Sequence, residues 1–96
     1  MSLVSVKVDV YCDHVQAGEP VYRVYVDNDL LTERTWIWPT YEVFIRENIE
    51  VEVEPGLHRV LVENVRNNAN FTCKNLTVNG QTLPTDNSST DLAFRI

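Results

Sequence analysis

At 96 residues the chain is long enough for one hydrophobic core and too short for a separate catalytic domain. Hydrophobic residues make up 44% and charged residues 23%, the balance of a chain that folds and not of a disordered one. A formal charge of -6 and a pI of about 4.7 set up a field that repels phosphate backbones and anionic lipid, so neither nucleic acid nor a membrane is an expected partner.

Leu3 to Cys12 alternate strictly, with Val4, Val6, Val8, Val10 and Cys12 on one face and Ser5, Lys7 and Asp9 on the other, which predicts a half-buried strand. Asp13 to Pro20, containing Gly18 and Pro20, reads as a loop. Val21 to Asp27 alternates again and places Tyr22, Val24 and Val26 together. Asp27, Asn28 and Asp29 tolerate left-handed backbone and predict a hairpin into Leu30 to Trp38. Neither face of that segment is cleanly apolar: Leu31, Glu33, Thr35 and Ile37 share one parity, Thr32, Arg34, Trp36 and Trp38 the other. Such a pattern predicts an edge strand, and Pro39 ends it.

Tyr41 to Ile45 is expected as a short fourth strand, separated by Arg46, Glu47 and Asn48 from Ile49 to Val53. There Ile49, Val51 and Val53 face in while Glu50, Glu52 and Glu54 face out, a solvated row that discourages edge-to-edge pairing. Pro55-Gly56 predicts a β-hairpin into Leu57 to Val65, and a polar loop leads on to Phe71 to Val78, closed by the turn Asn79-Gly80. After Gln81 to Pro84 and the polar run Thr85 to Thr90, Leu92, Phe94 and Ile96 point inward on a last strand. About eight strands and no segment with helical spacing predict an all-β fold, an antiparallel jelly-roll-like β-sandwich in a single domain over residues 1–96.

Three stretches carry a resemblance: Val24-Tyr25-Val26-Asp27-Asn28, His58 to Val65, and Leu76-Thr77-Val78-Asn79-Gly80. Over residues 21–83 the chain resembles the small jelly-roll carbohydrate-binding modules that recognise xylan through a bound calcium ion. The resemblance implies a sandwich fold and a sugar ligand. It also implies acids at Val65, beside the matching Asn64, and at or near Lys74, yet no Asp or Glu stands between Asn64 and Gly80. Calcium takes six to eight oxygen ligands, so neither a metal nor any other cofactor is expected.

The remaining features are weighed individually. Cys12 and Cys73 would close a loop worth about 4 kcal/mol if paired, but each continues the apolar parity of its strand and is read as a buried free thiol. His14 and His58 lack a nucleophile and an orienting acid, and no nucleophile elbow, phosphate loop or paired-histidine motif occurs, so no enzyme is expected. Asn70, Asn75 and Asn87 each begin an N-glycosylation acceptor pattern and are read as ordinary polar residues. No run of ~20 apolar residues spans a membrane, no targeting segment is read at the N-terminus, and the compartment is left open.

Trp36 and Trp38 lie two apart on one strand face, with Tyr41 close beyond. Taken alone, two such indoles are read sooner as closing one end of the core. They are nonetheless the candidate ligand contacts: exposed aromatics stack on pyranose rings while neighbouring polar side chains bond the hydroxyls. The expected function is a non-catalytic module contacting a polysaccharide through Trp36, Trp38 and Tyr41. The alternative is a structural or assembly module, such as a small virion or surface-appendage protein, that meets a protein partner or copies of itself through Leu30 to Trp38.

Overall fold

Alternating valine strands bury one face each, so they need a second sheet to cover them. A computed structural model describes residues 2–13, 17–37, 44–83 and 90–96. Eight strands run through them: β1 (Ser2–Asp13), β2 (Val21–Val26), β3 (Asp29–Thr35), β4 (Ile45–Val53), β5 (Leu57–Asn64), β6 (Asn70–Val78), β7 (Gln81–Thr82) and β8 (Asp91–Arg95). They form two four-stranded antiparallel sheets, ordered β4-β1-β6-β7 and β3-β2-β5-β8. Each sheet contains one sequential hairpin, and its other neighbours lie three or five strands apart along the chain. The expected jelly-roll-like β-sandwich is the observed fold.

Val4, Val6, Val8 and Val10 of β1 are completely buried, and Val24, Val26, Val60, Val62, Leu76, Leu92 and Phe94 meet them in one cluster. Each such aliphatic side chain contributes roughly 1.5–3 kcal/mol of transfer free energy. Two-residue turns close both hairpins. Asp27 (φ 50°) and Asn28 (φ 76°) join β2 to β3, and Asn79 (φ 50°) and Gly80 (φ 83°) join β6 to β7. Positive φ at both central residues gives the turn whose twist matches the strands. β3 is an edge strand with nearly every residue exposed, as its mixed parity predicts.

Two expectations about the middle of the chain are corrected. Pro55-Gly56 does not close a hairpin, because β4 belongs to the sheet of β1 and β5 to the sheet of β2. Gly56, at φ 138°, instead exchanges backbone hydrogen bonds with Ile96, N–H to O at 3.2 and 3.0 Å. The turn is an arch between sheets, anchored to the end of β8. Nor do Arg46, Glu47 and Asn48 break the chain: β4 runs through them, pairing with Asp9, Val8 and Lys7. Residues 41–43 of the expected fourth strand lie outside the described residues, and β7 makes up the count of eight.

β6 contains a bulge. Lys7 pairs with Thr77 and Asp9 with Lys74, so Asn75 and Leu76 together oppose Val8. Asn75 takes φ 58°, a left-handed conformation that asparagine tolerates better than most residues. The extra residue switches the inward parity from Phe71 and Cys73 to Leu76 and Val78. Cys12 and Cys73 are buried free thiols. Desolvation, with the Asp13 charge adding to it, pushes the Cys12 thiol up to about 11, and burial pushes Cys73 up to about 12.

Candidate functional site

Trp36 sits in the core. It is 2% exposed, its backbone amide donates to the Pro20 carbonyl at 2.7 Å, and its indole meets Phe71 edge-on at 6.4 Å. Phe71 in turn packs edge-on against Tyr22 at 5.3 Å. The indole closes one end of the sandwich and presents no face to a ligand, so Trp36 is withdrawn as a surface stacking residue. Trp38 and Tyr41 lie outside the described residues, as does His14.

A different aromatic surface stands on the outer face of the β4-β1-β6 sheet. Strand register sets its rows. Lys7 lies between Asn48 and Thr77. Asp9 lies between Arg46 and Lys74, and Tyr11 is flanked by Thr72 on β6. Phe44, just before β4, brings its ring to 5.2 Å from that of Tyr11 at 32°. Phe44 is 44% exposed and Tyr11 half-buried. Lys74 places Nζ 4.8 Å from the centre of the Tyr11 ring, and the Arg46 guanidinium lies 5.8 Å from that of Phe44. Both distances are within the range of cation–π attraction.

Beneath this row Asp9 is 1% exposed, although its parity points it outward. Arg46 covers it, with Nε 2.8 Å from Oδ1 and Nη2 3.4 Å from Oδ2, and the bulged Asn75 donates Nδ2 to Oδ2 at 2.9 Å. Burial raises the Asp9 pKa, but the bonds from Arg46 and Asn75 outweigh it and hold the carboxyl below its ordinary range. Asp9 thereby orients two side chains that remain exposed. Arg46 keeps 60% of its side-chain surface in solvent.

Next to the aromatic row a shallow depression of ≈ 340 Å³ is lined by Lys7, Arg46, Asn75, Thr77, Gly80 and Thr82. Lys7, Arg46 and Lys74 are far apart in sequence, and only the strand register gathers them. Among the described residues no carboxylate lies within ion-pair distance of Lys7 or Lys74. On the outer face of the other sheet most charges pair with one another, Arg95 being the exception among those described. Arg23 Nε donates to Glu33 at 2.9 Å, Tyr25 donates to Glu63 at 3.2 Å, and Arg59 grips Asp91.

Two further polar clusters hold the fold together. Glu47, 1% exposed, occupies an inward position of β4 opposite Val8 and accepts from the Tyr22 hydroxyl and from Arg34. Burial, and then the neighbouring Glu47 charge, raises the Tyr22 pKa far above its ordinary value. At the far end, His58 sets Nδ1 against the Asp27 carboxylate and Nε2 2.6 Å from the Glu54 carbonyl. Both partners are acceptors, so both ring nitrogens donate and the ring is an imidazolium. The bond to Asp27 first, and the Glu54 carbonyl second, raise its pKa.

Asn64, matched to a calcium-site position by the resemblance, is committed to its own loop. Its Nδ2 donates to the Ala69 carbonyl at 2.6 Å and its Oδ1 accepts from the Asn67 amide at 2.9 Å. Among the described residues no three His, Cys, Asp or Glu side chains gather into a metal site. The aromatic and cationic face was missed in the sequence because Tyr11 and Phe44 are 33 positions apart. The strict alternation of β1 already puts Lys7, Asp9 and Tyr11 in one outward row, and that was the available signal. No family model matches the chain, and neither a curated protein nor a solved structure is similar enough to count as a match.

Proposed function

We propose that the protein is a non-catalytic binding module that takes a glycan chain on the outer face of the β4-β1-β6 sheet. The observation that carries this reading is the Tyr11–Phe44 pair, two tilted rings 5.2 Å apart on the outer face of the sheet. Ring faces of this kind receive the C–H face of a pyranose, and Arg46, Lys74 and Thr72 in the same and the next row, with the bulged Asn75 beside them, stand ready to bond its hydroxyls. Of the residues first assigned an aromatic role, Trp36 is buried and yields it to Tyr11 and Phe44, while Trp38 and Tyr41 lie outside the described residues. Calorimetric titration with a panel of plant, algal and bacterial oligosaccharides tests it. Phe44→Ala is expected to weaken the best ligand at least ten-fold while leaving the unfolding midpoint unchanged. Silence across the panel, or a Phe44→Ala variant that binds as well as the parent, removes the proposal.

A second reading, assembly through protein contacts, is favoured by the exposed Leu30 (54%), Leu31 (39%) and Ile37 (68%) along and just beyond edge strand β3. An open edge flanked by apolar side chains is a pairing surface. Sedimentation velocity decides it: a single monomeric species at high concentration counts against self-association.

A further inference from the structure

We infer that the depression beside the aromatic pair accepts an anionic substituent, so that the glycan is an acidic one, carrying carboxylate or sulfate ester groups. The inference rests on the glycan reading and specifies its ligand class.

Charge is the first argument. The chain carries a formal charge of -6, yet among the described residues Lys7, Arg46 and Lys74 converge on the middle rows of this face against one buried carboxylate, Asp9. A local excess of about two positive charges results on a chain whose net charge is negative, and it favours an anionic ligand at this face. The next carboxylates on the face among the described residues, Glu50 and Asp13, stand one row beyond Lys7 and one row beyond Tyr11.

Preorganisation is the second argument. Both oxygens of Asp9 are occupied by Arg46 and Asn75, which fixes the guanidinium while its unbonded Nη1 remains available. A held guanidinium loses little freedom on gripping an oxyanion and offers planar paired donors. Asn75 owes its position to the bulge at φ 58°, a local irregularity that bends a strand and re-aims a side chain. Lys7 adds an exposed ammonium from the adjacent row of β1.

Size is the third argument. A volume of ≈ 340 Å³ suits one sugar residue with its substituent, and the aromatic pair lies on the other side of Arg46. A chain lying across both would stack one ring on Tyr11 and Phe44 and place the acidic group of a neighbouring residue between Lys7 and Arg46.

The test titrates the intact protein at low salt with three oligosaccharides of equal length: a polyuronate, a sulfated galactan and a neutral glucan. The polyuronate and sulfated arms distinguish carboxylate from sulfate recognition. At least one is expected to bind ten-fold or more tightly than the glucan and to weaken as salt rises. Lys7→Gln and Lys74→Gln are each expected to reduce that affinity about three- to ten-fold, and Lys7→Gln, which lies outside the aromatic row, to leave the glucan unaffected. If the glucan binds as well as the acidic chains, the inference fails and the glycan reading stands. If no glycan binds at all, both fail. A single-stranded oligonucleotide that displaces the acidic glycan at lower concentration also overturns the inference, since the face would then be reading phosphate.

Discussion

The carboxylate of Glu47, on the inward face of β4, accepts the hydroxyl of Tyr22 from the facing sheet at 2.9 Å, and Arg34 closes over it with Nε 2.7 Å from Oε2. Buried carboxylates endure only when their lone pairs are satisfied, and here donors from both strands of the opposite hairpin supply them.

Removing that carboxylate orphans a buried hydroxyl, whereas Arg34, with 47% of its side chain exposed, can turn to water. Glu47→Ala is therefore expected to cost about 2 kcal/mol or more, and Tyr22→Phe about 1 kcal/mol. In the double variant the losses should add to less than their sum, because the orphaned group is gone. Chemical denaturation of the four proteins measures this, and full additivity would mean that the two side chains are not coupled.

Asn75 has two duties, a left-handed backbone and a bond to Asp9. Asn75→Gly keeps the first and loses the second, at roughly 1 kcal/mol. Asn75→Ala loses both and should fall about another 1 kcal/mol lower. The expected order of thermal midpoints is Asn, Gly, Ala. An Ala variant more stable than Gly would show that the bulge does not persist.

Stability should vary with pH from two sides. The pKa of His58 is raised above its ordinary 6.5, so its contribution is complete below that value and fades as pH rises through the folded-state pKa. Asp27 is lowered from 3.8: burial raises it, but the Arg59 amide and His58 together outweigh that. Its contribution is complete above 3.8 and fades as pH falls. The Phe94 ring, 5.5 Å away, adds no charge. Midpoints recorded between pH 4 and 9 should decline on the alkaline side, and His58→Gln should flatten that decline. A parent midpoint constant from pH 6 to 9 would contradict the imidazolium assignment.

The fold was legible wherever alternation was unbroken. β1, β2 and the Asp27-Asn28 turn follow directly from parity and turn chemistry. The arch at Pro55-Gly56 was not legible, because a two-residue turn signal says that the chain reverses but not whether the two strands share a sheet. Glu47 hid β4: a glutamate at an inward position looks like a loop residue until Tyr22 and Arg34 are seen around it. The bulge did leave a trace, since the apolar positions step by two to Cys73 and then by three to Leu76. Trp36, just past β3, follows the reading preferred for it on its own, an indole closing one end of the core, and not the ligand role.

The wiring of β1 has a consequence for how the protein is made. Its partners on either side are β4 and β6, so during synthesis a strand with four fully apolar inward positions must wait until residues 45–53 and then 70–78 have emerged. Contacts this distant in sequence form slowly, and an unpaired apolar strand is open to association with other chains in the interval. The outward residues Ser5, Lys7 and Asp9 interrupt the valines at every second step. In the nascent chain they act as solubilising breaks in a segment that would otherwise be prone to aggregate, well before two of them take their places on the cationic face.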